Sequence, residues 1–221
     1  DLGPVSGVLF DFGVSSYHLN RPERGFSFMR EGPLDMRLDQ SEGTTAADLV
    51  NRLKESELKD IFREYGEERW AGRLAWRIVT ARAKKPLETT AQLAAIVRGA
   101  VPRSRKGRRI DPATRSFQAL RIAVNRELEP LPDAVMDAME ILKPGGRGCF
   151  ISYHSLEDRQ VKRVIRALER GCDRSLEPTA SIRGKGVDIK NLTPKPITPT
   201  AVERAASPRS RSAKLRTAER V

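Results

Sequence analysis

Two periodicities divide the chain. Near its start, Val8-Leu9-Phe10 is a short apolar run closed by Asp11, Phe12 and Gly13. It reads as a buried parallel strand whose carboxyl end opens into a tight loop. A second run, Gly148-Cys149-Phe150-Ile151 within 147–153, follows a Lys143-Pro144-Gly145-Gly146 stop and reads the same way. Between the two strands the apolar positions recur at helical spacing. Thr44 and Thr45 cap a helix through Leu53, and Ser56 starts another that presents Leu58, Ile61, Phe62 and Tyr65 before Gly66. A third runs from Glu67 to Ala83 with Trp70, Leu74 and Ile78 on one face, which places Trp70 and Trp76 in the core. Thr90 caps a fourth, through Val101. Pro112 suits the first turn of a fifth helix with the stripe Phe117, Leu120, Val124 and Leu128, and a sixth carries Val135, Met139 and Leu142. After the second strand, Ser155 starts a seventh, strengthened by Asp158, with Val161, Val164, Ile165 and Leu168 inward.

Helix, Pro-Gly-Gly turn and strand make the α-to-β half of a doubly wound fold, and the four helices before Val101 have no strand between them. The expected architecture is α/β: residues 1–40 and 112–221 form the frame, and residues 41–111 form an inserted helical domain. Residues 20–43 read as an ordered loop anchored by Phe26, Phe28, Met29, Leu34 and Met36, a length that usually serves function. From Gly171 to Arg211 the chain is rich in Pro, Ser, Thr, Lys and Arg without period and reads as loop. Residues 213–221 suit a closing strand whose charges favour an edge.

Charge adds a partner to this picture. Forty-one Lys and Arg against 29 Asp and Glu leave a net +12, far enough from neutrality to imply an anionic partner, nucleic acid first. Residues 98–109 hold six basic side chains, among them Arg105, Lys106, Arg108 and Arg109, and no acidic one. That concentration suits phosphate contact, the alternative being a solvated basic surface. No apolar run is long enough to span a membrane and no signal peptide is visible, which points to the cytoplasm. Two cysteines and two histidines show no metal-ligand spacing, so no metal is expected.

Candidate chemistry gathers at the two strand ends and in the loop. Ligands of open α/β sheets bind outside the carboxyl ends of the strands, so Asp11 and Gly13 stand at the mouth of a site, or simply open a turn. His154 and Ser155 follow the second strand as Gly13 and Val14 follow the first. A histidine there takes a proton at neutral pH, or bonds to backbone beside a capping serine. In the loop, Arg24, Arg30 and Arg37 flank Phe26 and Phe28, which suits phosphate and base contact, although surface arginines are common. Asp35 is either a substrate acceptor or a loop-capping carboxylate.

Several blocks recur in a fixed order: Asp11-Phe12-Gly13-Val14-Ser15-Ser16, Glu23-Arg24-Gly25-Phe26-Ser27-Phe28-Met29-Arg30, Gly32-Pro33-Leu34-Asp35-Met36-Arg37, Tyr65-Gly66-Glu67-Glu68-Arg69, Thr114-Arg115-Ser116-Phe117-Gln118-Ala119-Leu120-Arg121-Ile122, Ser152-Tyr153-His154-Ser155-Leu156-Glu157-Asp158-Arg159, and Ser207-Pro208-Arg209-Ser210-Arg211-Ser212-Ala213-Lys214-Leu215-Arg216. Together they resemble the bacterial 16S rRNA cytosine-N4 methyltransferases over nearly the whole chain. The resemblance implies a Rossmann-like, class I methyltransferase sheet carrying a helical RNA-recognition insertion. It also implies S-adenosylmethionine as cofactor and N4-methylation of a cytosine in the decoding centre, on the small ribosomal subunit. It assigns Asp11 to the cofactor, as well as the position of His18, where the family carries glutamine. The family's glycine-rich cofactor loop and its ribose-binding acidic residue have no counterpart here, so the chain is expected to correspond to the C-terminal portion of such an enzyme. Two alternatives stay open: an RNA-binding module without catalysis, and a methyltransferase acting on another amino-bearing substrate. Oligomeric state is open between monomer and homodimer.

Overall fold

The computed structural model of the protein describes residues 3–102, 111–171 and 188–221. Within them the chain folds as two units, Asp1–Gly13 with Leu128–Val221, and Val14–Glu127. The helical unit reaches beyond 41–111 on both sides because of where the apolar side chains go. Phe26, Leu34 and Met36 from the loop, and Phe117 and Leu120 from the following helix, share one core with Leu58, Phe62, Leu74 and Ile78. Each such burial contributes about 1.5–3 kcal/mol, so the loop is bound to this unit by its own side chains.

The chain opens with strand β1 (Val5–Asp11). The helical unit then contains α1 (Ser16–Asn20), α2 (Ala46–Arg52), α3 (Glu55–Glu64), α4 (Ala71–Arg82), α5 (Thr90–Ala100) and α6 (Ala113–Asn125). Their starts follow from capping. Thr45 and Asp48 exchange side-chain and backbone hydrogen bonds at α2, and Thr89 and Gln92 do the same at α5. In α4 the buried positions are Ala71, Leu74, Ala75 and Ile78, which puts the indoles elsewhere: Trp70 is 40% and Trp76 52% exposed. The expected core placement of the two tryptophans is thus corrected, since alanines fill the close helix contacts and leave no room for an indole.

The second unit continues with α7 (Leu131–Glu140), β2 (Leu142–Ser152), α8 (Ser155–Glu169), β3 (Ile189–Asn191), α9 (Ala201–Ala206) and β4 (Lys214–Arg220). The strands form one sheet in the order β1-β2-β4-β3, with β1 parallel to β2 and β4 antiparallel to both of its neighbours. Leu131, Val135 and Met139 of α7 and Val161, Val164, Ile165 and Leu168 of α8 share a core with Phe150 and Ala218 of the sheet. Gly148 permits this close approach, because a Cβ there would lie 2.8 Å from the Met139 sulfur. Phe150 also stacks on Phe10 and Phe12 at ring distances of 5.8 and 6.4 Å, tying β1 to β2.

Three strand expectations change. β1 is parallel as expected but is not buried on both faces: among the described strands it pairs only with β2, and Leu9 is 67% exposed. The carboxyl-terminal strand lies inside the sheet rather than at its edge. Its charges are tolerated there because Arg216, 4% exposed, and Lys214 reach Asp158 of α8 at 2.6 and 3.1 Å. Lys143-Pro144-Gly145-Gly146 does not separate helix from strand but forms an irregular start of β2, where the register with β1 shifts. The stretch read as loop also contains β3 and α9, too short for periodicity to reveal. No helix among the described residues is long and apolar enough to cross a membrane.

Candidate functional site

The carboxyl ends of β1 and β2 lie side by side, with Asp11 in register with Ile151, and each delivers one polar side chain. Phe12 N–H donates to the Ile151 carbonyl at 3.0 Å, extending the pairing one residue beyond Asp11. Gly13 then turns the chain with φ of 87°, a left-handed conformation that glycine adopts without a Cβ penalty. Just past β2, Tyr153 lies beside the exposed Asp11 carboxylate. Burial of the phenol raises its pKa above the ordinary value, and the Asp11 hydrogen bond and charge raise it further, with Glu157 adding a smaller push. Tyr153 therefore stays protonated at neutral pH.

Behind this pair stands the start of α8. Its N-cap is His154 rather than Ser155, which is the first helical residue, and the partner three residues on is Glu157 rather than Asp158. His154 Nδ1 accepts from Glu157 N–H at 3.4 Å, while Glu157 Oε2 accepts from Tyr153 N–H at 2.8 Å and from His154 N–H at 3.4 Å. His154 Nε2 lies 3.1 Å from Glu157 Oε1. Both side chains are buried, and a buried carboxylate is at home beside the positive end of a helix. The His-x-x-Glu spacing is that of a capping box, the signal by which Glu157 could have been found.

The loop residues form a separate cluster within the helical unit. Asp35 accepts from Arg37 N–H at 3.1 Å, from Arg37 Nε and Nη2 at 2.8 and 3.0 Å, and from Gln40 Nε2 at 3.1 Å. Burial alone would raise its pKa, but these hydrogen bonds and the Arg37 charge bring it below the usual carboxylate value. Arg24 Nη2 donates to the carbonyls of Arg37 and Leu38, each at 2.7 Å, and Phe26 is buried in the core. Asn125 Nδ2 donates to the Met36 carbonyl and its Oδ1 accepts from Leu38 N–H, at 2.8 and 2.7 Å, fastening the loop to α6. Gly25 is required here, since a Cβ would sit 2.3 Å from the Pro33 carbonyl oxygen.

His18 belongs to the same unit, with its ring 5.5 Å from that of Phe26 and its Nδ1 3.1 Å from Ser15 Oγ. Burial, and then the nearby Arg24 charge, lower its pKa, so the ring is neutral at physiological pH. The expected site residues thus fall into two groups: Asp11, Gly13, His154 and Ser155 at the strand ends, and His18, Arg24, Phe26, Asp35 and Arg37 in the loop cluster. Arg105, Lys106, Arg108 and Arg109 lie outside the described residues. Tyr153, which the sequence offers only as part of the block 152–159, is the polar neighbour of Asp11.

Comparison with known proteins supplies the family. The model of the MraW methylase family matches residues 1–221. Proteins named ribosomal RNA small subunit methyltransferase H are similar throughout. The one from Citrifermentans bemidjiense is 53% identical over 217 residues, covering 98% of this chain and 70% of the relative. Those from Geobacter sulfurreducens and Halothermothrix orenii are 52% and 48% identical, with the same shares of 98% and 70% covered. With strand-end carboxylate, helix cap and loop cluster all built from residues inside that match, the chain belongs to the MraW methylase family.

Proposed function

We propose that the protein transfers a methyl group from S-adenosylmethionine to the exocyclic amine of a cytosine in small-subunit ribosomal RNA. The observation that carries this reading is the exposed Asp11 carboxylate at the end of β1, beside Tyr153 just past the end of the neighbouring parallel strand. Membership of a methylase family and the names of the relatives support the reaction and the substrate class. The target in the decoding centre, the assembled small subunit as substrate and the cytoplasmic setting belong to the same proposal.

The residues at the strand ends fit the cofactor. The exposed Asp11 carboxylate offers acceptor positions that suit an ammonium group. Gly13 leaves the adjoining backbone uncovered by a side chain. When bound, S-adenosylmethionine supplies a methyl on a positively charged sulfur, open to in-line displacement. Cytosine N4 has its lone pair delocalised into the ring, so the protein's task is positioning and charge placement rather than making a strong nucleophile. Asp11 holds the cofactor in place, and Tyr153 offers a ring to a base drawn out of its stack. His154 positions Tyr153 by organising the start of α8, with Ser155 as its first turn. Asp35, Arg24 and Arg37 shape the loop, and the basic stretch from 98 to 109 attracts phosphate.

The test uses protein expressed from its complete coding sequence, methyl-labelled S-adenosylmethionine, and small subunits lacking the modification. Nucleoside analysis of the digested rRNA should place the label in N4-methylcytidine. Label in ribosomal protein or in another nucleoside would overturn the substrate. RNA binding without transfer would favour the non-catalytic module.

A further inference from the structure

Helix α4 presents two opposite faces. Ala71, Leu74, Ala75 and Ile78 are buried, while Arg73, Trp76, Arg77 and Thr80 are exposed. At 3.6 residues per turn, the exposed four fall within an arc of roughly 100°. From Arg69 to Leu87 the chain carries six basic residues and no acidic one. Among the described residues no carboxylate pairs with Arg69, Arg73 or Arg77. In the middle stands Trp76, half exposed, with the Arg77 guanidinium 5.9 Å from its ring.

About half of the indole is thus left in water, among cations that no carboxylate of the described residues pairs. Its flat apolar face and the surrounding positive charge complement a ligand with stacking rings and a phosphate chain. A second copy of the chain is a poor occupant, because an isologous contact would set Arg73 and Arg77 against the same cations. A duplex is also a poor match, because its bases are already stacked and hidden from an indole.

We propose that the exposed face of α4 binds single-stranded RNA, one unpaired base stacking on Trp76 while Arg73 and Arg77 contact the flanking phosphates. This deepens the rRNA reading above and rests on it for the identity of the RNA. The surface is built from residues other than those of the loop cluster around Asp35, so it adds a contact of its own.

The test titrates a fluorescein-labelled single-stranded RNA 12-mer, and its duplex form, into the whole protein at several salt concentrations. Trp76→Ala should weaken single-strand binding about fivefold or more with the salt slope unchanged, and Trp76→Phe should restore most of it. The double variant Arg73→Gln/Arg77→Gln should lower the slope by about 1.4, the loss of two phosphate contacts. Both variants change exposed side chains, and thermal melts matching the wild type confirm that the fold is intact. Unchanged affinity and slope in both would overturn the proposal, as would a loss of self-association in Trp76→Ala at constant RNA affinity. If Trp76 matters for RNA binding but no methyl reaches rRNA, the enzyme reading fails and this surface stands. If methyl transfer is normal and RNA affinity is indifferent to Trp76, the surface fails and the enzyme reading stands.

Discussion

Tyr153 and Asp11 form the smallest unit on which the functional reading depends. A phenol whose pKa is raised by burial and by a neighbouring carboxylate remains a hydrogen-bond donor across the physiological range. Tyr153→Phe removes that donor and keeps the ring. It should weaken S-adenosylmethionine binding about fivefold, the worth of one hydrogen bond of about 1 kcal/mol, as calorimetric titration would show. Asp158 makes a second residue-level prediction. Burial would raise its pKa, but Arg216 and Lys214 bring it below the ordinary value. A carboxyl whose folded pKa is depressed contributes stability above its unfolded pKa and loses it as pH falls through the folded value. Asp158→Asn should therefore cost about 3 kcal/mol at pH 7, where it leaves Arg216 buried without its anion, and the difference from wild type should shrink in acid. Denaturant unfolding at pH 7 and pH 3 checks both parts.

At the level of elements, the start of α8 separates a structural from a chemical role for His154. The ring accepts the Glu157 N–H, so asparagine, a good N-cap, should replace it with little change in stability, whereas His154→Ala should cost about 1 kcal/mol. If His154 only positions Tyr153, His154→Asn should lower methyl transfer less than tenfold and leave its pH profile alone. A loss of about 10²-fold or more with an altered profile would show proton transfer instead. The helices could be read closely from apolar spacing and from threonine caps such as Thr45, because those signals are local, although the cap of α5 is Thr89 and not the expected Thr90. The exposure of Trp76 could not, since an aromatic at helical spacing looks the same whether the neighbouring alanines or the indole face the core. β4 was misplaced for a related reason: nothing local to Arg216 announces Asp158, which is 58 residues away.

For the whole molecule, under the proposed function, the net charge of +12 sets the scale of RNA attraction and its distribution sets where RNA lands. Replacing Arg105, Lys106, Arg108 and Arg109 by glutamine should reduce the slope of log affinity against log salt by up to about three, at about 0.7 per lost contact with a single strand. An unchanged slope would leave that stretch as solvated surface. The two parallel strand ends and the carboxylate at their mouth were readable from two short apolar runs. The extent of the helical unit was not, because Phe26, Leu34 and Met36 lie in a loop without period and reveal their burial only in the fold. The cofactor contact proposed for Asp11 lies at the end of β1. It is tested most directly by calorimetric titration of S-adenosylmethionine into the protein expressed from its complete coding sequence and into its Asp11→Asn variant, both with matched melting curves. Affinity should be lower by about tenfold or more in the variant, as expected for loss of a charged hydrogen-bonding partner. Equal affinity in the two proteins would contradict it.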